Sequence, residues 1–111
     1  MHDTPFVVQH ADDFTYLDEG SCSTSHPPIV LLHGMLGDLS NWTDTIQCLA
    51  DANYRVIAPV IPVYGLSLGQ TNVPGLADYL DTFLQHLSIS ESILVGNSLG
   101  GHVALLYALD H

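Results

Sequence analysis

Apolar residues along this chain fall into two alternating textures: short unbroken runs, and longer stretches with one apolar position every three or four residues. Ile29-Val30-Leu31-Leu32 is an unbroken run, the pattern of a strand buried on both faces of a parallel sheet, and it stops at His33-Gly34. Tyr54 to Ala58 repeats it and is ended by Pro59; Ser92 to Val95 is a third such run. Between them the period changes. Ser40 or Asn41 is placed to cap a helix from Trp42 to about Asp51, with Trp42, Ile46, Leu49 and Ala50 at helical spacing. Leu76, Leu80, Phe83, Leu84 and Leu87 form one stripe of an amphipathic helix over 76–87. Leu99 to Leu109 reads as a third helix, apolar nearly all round. At the front, Phe6-Val7-Val8 and Phe14-Thr15-Tyr16-Leu17 predict two short strands separated by a turn at Ala11-Asp12-Asp13. The stretches 18–28 and 60–74, rich in Gly, Ser, Thr and Pro, predict loops.

Strands alternating with helices of this length imply βαβ units with right-handed crossovers. The predicted fold class is therefore α/β: a mostly parallel sheet with flanking helices and an N-terminal antiparallel hairpin. A chain of 111 residues is expected to form a single domain around one core.

Composition narrows the function classes. The chain has 12 acidic residues and one basic residue, Arg55, for a formal net charge of −11. Such a surface repels nucleic acid and anionic membrane, both of which require a positive patch. It reads either as a plainly acidic soluble protein or as one adapted to concentrated salt, where screening lets carboxylates crowd. No apolar stretch approaches the ~20 residues of a spanning helix, and no basic segment followed by an apolar run opens the chain. The expectation is a soluble, cytoplasmic protein that binds neither nucleic acid nor membrane. Cys22 and Cys48 have no metal-ligand spacing and are expected to be reduced thiols, with a disulfide between them as the alternative. His2, His10, His26 and His86 are scattered and read as surface residues. Neither metal nor cofactor is expected.

The chemistry-bearing pattern is Gly96-Asn97-Ser98-Leu99-Gly100, a G-x-S-x-G between a predicted strand and a predicted helix. The bare pattern recurs by chance in roughly one chain in thirty of this length, so alone it marks no more than a Gly-rich turn. Its setting adds weight. A tight strand-to-helix turn holds a serine at the carboxyl edge of a sheet with its hydroxyl exposed, and glycines two before and two after remove side chains that would collide there. Gly101 extends that small-residue face. A serine hydroxyl needs a base to take its proton, and the oxyanion formed on attack needs donors, each worth ~10²–10³ in rate. The N–H of Leu99 is placed for one donor. The second should come from the loop after the first buried strand, where His33-Gly34-Met35 lies.

In order along the chain, Asp18-Glu19-Gly20, Ile29 to Gly34, Val56-Ile57-Ala58-Pro59, Pro62 to Ser67 and Val95 to His102 resemble the α/β-hydrolase fold superfamily over essentially all 111 residues. The resemblance implies Ser98 as nucleophile, Met35 and Leu99 as oxyanion-hole N–H donors, and His33 and Gly34 as residues that shape the hole without proton transfer. Gly96, Asn97, Gly100 and Gly101 would support the turn. A serine at the elbow separates this chain from the family's epoxide hydrolases and dehalogenases, which carry aspartate there. In the middle loop Val60 replaces the acid that members often carry and Val63 replaces a glycine, so the usual turn geometry is not expected there.

In this family the order is Ser, then Asp or Glu, then His. After Ser98 the chain offers His102, Asp110 and His111. His102 is expected to be a packed or solvent-facing helix residue, and the other two lie ~18 Å further along at 1.5 Å per residue. None completes a triad. The final helix, apolar on every face, and the strand before it suit buried elements flanked by further structure. As an isolated chain they would expose an apolar helix and a sheet edge prone to self-association. The expectation is thus the N-terminal part of a serine hydrolase acting on small acyl substrates, esters among them, with perhydrolase activity open to the same machinery. The alternative is a non-catalytic fold, short and intact or truncated, that binds a partner, a second copy or a small apolar ligand.

Overall fold

A computed structural model describes residues 6–11, 14–20, 26–33, 42–61, 73–97 and 99–110. The chain runs β1 (Gln9–Ala11), β2 (Phe14–Glu19), β3 (Ile29–Leu32), α1 (Thr43–Asp51), β4 (Val56–Pro59), α2 (Val73–His86), β5 (Ile93–Gly96) and α3 (Leu99–Asp110). These strands form one five-stranded sheet in the order β1-β2-β4-β3-β5. β3 is parallel to β4 on one side and to β5 on the other, with Ile29 opposite both Val56 and Ile93. β1 and β2 form an antiparallel hairpin, and β2 continues the sheet antiparallel to β4. The α/β class, the parallel centre and the N-terminal hairpin are all as the sequence predicts.

The unbroken apolar runs are needed because β3 and β4 have helices on both sides. Leu17, Ile29, Leu31, Val56 and Ala58 pack with Ile46 of α1 on one face. Val30, Leu32 and Ile57 pack on the other with Leu76, Leu80, Phe83 and Leu84 of α2 and Val103 of α3. Phe83 is fully buried, with Phe14 and Tyr16 against its ring at centroid separations of 5.3 and 5.1 Å. Helices α1 and α2 end alike. The N–H of Asn53 bonds to Ala50 O and that of Tyr54 to Leu49 O; the N–H of Ser88 bonds to Gln85 O and that of Ile89 to Leu84 O. This double closure sets Asn53 (φ 70°) and Ser88 (φ 59°) in the left-handed region and satisfies carbonyls left open at a helix end.

Two expectations shift. The first strand is not Phe6-Val7-Val8: the ladder pairs Gln9–Ala11 with Phe14–Tyr16, while Phe6 and Val8 pack against the α1-face core. α2 begins at Val73, so Pro74 belongs to its first turn, where a missing N–H costs nothing. Among the described residues β5 is the edge of the sheet, with Ile93 45% and Val95 39% exposed, the open edge expected of this chain by itself. α3 is buried at Gly100 and Val103, and its outer face leaves Leu105 65% and Leu109 73% exposed. Continuous apolarity signals burial on two sides, and among the described residues each of these elements has a neighbour on one. The expected caps Ser40 and Asn41 lie outside the described residues; Trp42 occupies the N-cap position of α1 without a side-chain cap. Trp42 packs against the α1-face core, as expected.

Candidate active site

β3 leads to α1 on one face of the sheet, whereas its neighbours β4 and β5 lead to α2 and α3 on the other. Where adjacent strands depart to opposite faces, their carboxyl ends leave a crevice, and in open α/β sheets that is where ligands bind. The described motif residues gather at this edge.

β5 ends at Gly96 and α3 starts at Leu99, so the chain passes from strand to helix within two residues. The turn is held from both sides. The Asn97 N–H donates to Leu32 O at 3.0 Å, tying the end of β5 to the end of β3, and the Gly100 N–H donates to Asn97 O at 3.0 Å. The glycines are required by contact. A Cβ on Gly96 would strike the backbone of Gly100 and Gly101, and one on Gly100 would strike the carbonyls of Leu32 and His33. Gly101 is less constrained: an added Cβ there would find Gly96 O at 3.5 Å, an ordinary contact. The first turn of α3 therefore rests directly on the end of β3.

His33 follows β3 and is buried at 4% exposure. Its ring Nε2 accepts the Ile61 N–H at 2.8 Å. A ring nitrogen that accepts carries no proton, so a neutral His33 holds its proton on Nδ1. The sequence singles out His33 but gives no sign of Ile61.

Of the predicted site residues, the structure brings His33, Gly96, Asn97, Leu99, Gly100 and Gly101 to one edge of the sheet. Ser98, Gly34 and Met35 lie outside the described residues, as do Cys22 and the altered middle loop with Val63. His102 is exposed on α3, and Asp110 ends that helix. His102 lines a shallow apolar depression with Val73, Leu105, Leu106 and Leu109. Two larger open depressions lie by His26, Arg55 and Glu91 and by Leu84, Ser92 and Tyr107. Both adjoin the amino ends of the parallel strands, opposite the glycine turn. Among the described residues no group of acidic, histidine or cysteine side chains is placed to hold a metal ion, and no helix is long and apolar enough to cross a membrane. Cys48 is an exposed free thiol.

Comparison with known proteins agrees with this geometry. The chain is 36% identical over 85 residues to the dihydrolipoyllysine-residue acetyltransferase component of the acetoin cleaving system of Cupriavidus necator, which covers 74% of this chain and 22% of that protein. It is 36% identical over 107 residues to a 2-hydroxy-6-oxononadienedioate/2-hydroxy-6-oxononatrienedioate hydrolase of Burkholderia vietnamiensis, covering 86% and 35%. Among solved structures, an alpha/beta hydrolase enzyme from the metagenome of lagoon sediments at Mar Chica, Morocco, superposes with a TM-score of 0.83 at 40% identity, over 92% of this chain and 45% of that one. The chain thus spans less than half the length of each of these relatives. The family model of the alpha/beta hydrolase fold matches residues 27–111. This chain belongs to the alpha/beta hydrolase fold family.

Proposed function

We propose that this chain carries the nucleophile and oxyanion hole of a serine hydrolase that acts on esters or related small acyl compounds through an acyl-enzyme. The observation that carries the reading is the close-packed turn at Gly96 and Gly100. Such a turn seats the start of α3 on the end of β3, and in the motif a turn of this kind exposes a serine hydroxyl at the carboxyl edge of a sheet. In this reading Ser98 Oγ attacks the acyl carbon while a base takes its proton. The oxyanion is held by the N–H groups of Leu99, at the start of α3, and of Met35, and collapse expels the alcohol with that proton. Water then releases the acid by the same steps. Substrate is a small acyl molecule, with neither nucleic acid nor membrane as partner. Among the described residues after the turn, His102 and Asp110 are exposed on α3, and in this reading neither serves as triad acid or base.

A second, non-catalytic reading is favoured by the exposed apolar side chains of β5 and α3, which suit self-association or capture of an apolar ligand. One experiment separates the two. Short-chain p-nitrophenyl esters and a fluorophosphonate probe are applied to these 111 residues alone and within the longest reading frame that contains them. The longer form turns over ester and is labelled at Ser98, and Ser98→Ala lowers turnover by at least ~10³-fold. The short form is inert. Turnover unaffected by Ser98→Ala would end the serine-hydrolase reading, and robust Ser98-dependent turnover by the short form would end the assignment of acid and base elsewhere.

A further inference from the structure

α3 differs from α1 and α2 in having no polar face to turn outward: between Leu99 and Leu109 its polar groups are the His102 ring and the Tyr107 hydroxyl. Gly100, Val103 and Tyr107 form its inner stripe, and His102, Leu105 and Leu109 form an outer stripe at the same helical spacing. The two outer leucines are as apolar as Val103 and the Tyr107 ring, so burial, which has no direction, does not select this face. Two directional contacts do. At the amino end Gly100 lies on the carbonyls of Leu32 and His33, where any side chain would collide. Two helical turns on, about 10.5 Å along the axis at 1.5 Å per residue, the Tyr107 hydroxyl donates to Asp81 Oδ1 of α2 at 3.4 Å. That carboxylate is itself held, because Gln85, one turn on in α2, donates Nε2 to Asp81 Oδ2 at 2.8 Å. The Tyr107 ring packs against the α2-face core. Burial, the Asp81 charge and the bond to it, in that order, raise the pKa of the hydroxyl and keep it a donor.

We propose that Tyr107 and Asp81 are positioning residues that set the rotation of α3 about its axis, and with it the aim of the N–H groups in its first turn. A polar pair within a uniformly apolar contact picks one arrangement from several of similar burial, as a single buried polar residue fixes register in coiled coils. Gly100 alone lets the helix pivot on its contact with β3. A second fixed point, on another element, removes that freedom. The catalytic consequence rests on the reading of the Leu99 N–H as an oxyanion-hole donor. Leu99 is the first residue of α3, so rotation of the helix redirects that N–H relative to the acyl carbonyl. A misplacement of about 1 Å that originates away from the chemistry can cost up to ~10²-fold in rate.

The test uses methyl-labelled chain and a soluble paramagnetic agent, which broadens methyl signals according to their exposure. In the parent, Leu105 and Leu109 are broadened while Val103 and Leu106 are protected. Tyr107→Phe removes the donor and keeps the ring, Asp81→Ala removes the acceptor, and Asp81→Asn keeps an oxygen there without the charge. In Tyr107→Phe and Asp81→Ala the contrast between the two pairs falls about threefold or more, and Asp81→Asn restores it. A contact that merely stabilised the fold would lower Tm and leave this pattern as it is. In the longer form, ester kcat falls about three- to tenfold in Tyr107→Phe and Asp81→Ala with KM nearly constant, and Asp81→Asn recovers most of it. An unchanged broadening pattern in Tyr107→Phe overturns the proposal, as does a kcat that neither variant lowers. Tyr107→Phe differs from the parent by one oxygen, so it decides the matter even where Asp81→Ala does not fold. Absence of ester turnover in every form, with the pattern altered as expected, refutes the hydrolase reading and leaves the rotational assignment standing.

Discussion

Gly100 and Gly101 are neighbours in the first turn of α3, yet a methyl group added to each meets opposite conditions. On Gly100 it would collide with the carbonyls of Leu32 and His33. These are backbone atoms at the end of a central strand and cannot rotate aside, so either α3 or β3 must move. Overpacking of this kind costs about 1–3 kcal/mol. Alanine's helix preference over glycine offsets up to about 1 kcal/mol of that. The net for Gly100→Ala is a loss of about 1–2 kcal/mol. At roughly 4 °C per kcal/mol for a domain of this size, Tm falls by about 4–8 °C. On Gly101 the nearest atoms stand at 3.5 and 3.7 Å, both from Gly96, so the helix preference acts unopposed. Gly101→Ala therefore gains up to about 1 kcal/mol. Thermal and urea unfolding of the two variants beside the parent chain measure this difference in sign. Equal stability of the two, or a tolerated Gly100→Ala, would show that the strand and helix are not in the contact described.

Three further outcomes follow from other parts of the fold. Arg55 grips Asp18 with two hydrogen bonds, Nε to Oδ1 at 3.0 Å and Nη2 to Oδ2 at 2.8 Å, joining β2 to the entry of β4. Arg55→Met and Asp18→Asn each lower unfolding free energy by about 1 kcal/mol, and the double variant loses less than the sum, as a double-mutant cycle in urea would register. Ser88 holds a left-handed conformation that suits glycine, so Ser88→Gly raises stability by about 1 kcal/mol, checked by the urea midpoint. Burial, the nearby Asp81 charge and a long 3.4 Å hydrogen bond to it, in that order, raise the Tyr107 pKa above 10.0. The folded state then keeps a proton that the unfolded state releases, so this stabilisation is complete below pH ~10 and is lost as pH rises through the folded value. Ultraviolet titration of the chain minus that of Tyr107→Phe shows the late transition, and Asp81→Asn moves it back down.

Much of this architecture is legible in the sequence, for reasons that also account for the misplaced parts. β3 and β4 are readable because each is covered on both faces, a condition that leaves four apolar residues in a row and little else. α2 is readable because Leu76, Leu80, Phe83 and Leu84 must share one face, and its start is obscured because Pro74 looks like a loop residue until its place in the first turn is known. Phe6-Val7-Val8 has the composition of a strand, but hairpin register follows from which residues can face each other across the turn, and that choice favours Gln9-His10-Ala11. β5 and α3 have the composition of buried elements, while their exposure depends on which neighbours are present. At the site, the glycine spacing points directly to the close approach of strand and helix. The bond between His33 and Ile61 is not legible, because it joins residues brought together by the divergence of two strands, and no local pattern encodes that.

The sheet order also fixes a sequence of assembly. β3 finds β4 after a short excursion through α1, and β2 closes on β4 from the other side, so four strands can gather using residues up to Pro59. β5 then has to return across α2 to the one side of β3 still open, closing a much longer loop. During synthesis β5 and the glycine turn emerge after these four strands and can dock onto a platform already formed. β5 is thus the strand of the described sheet that arrives by the longest connection, and it seats the glycine turn on the end of β3.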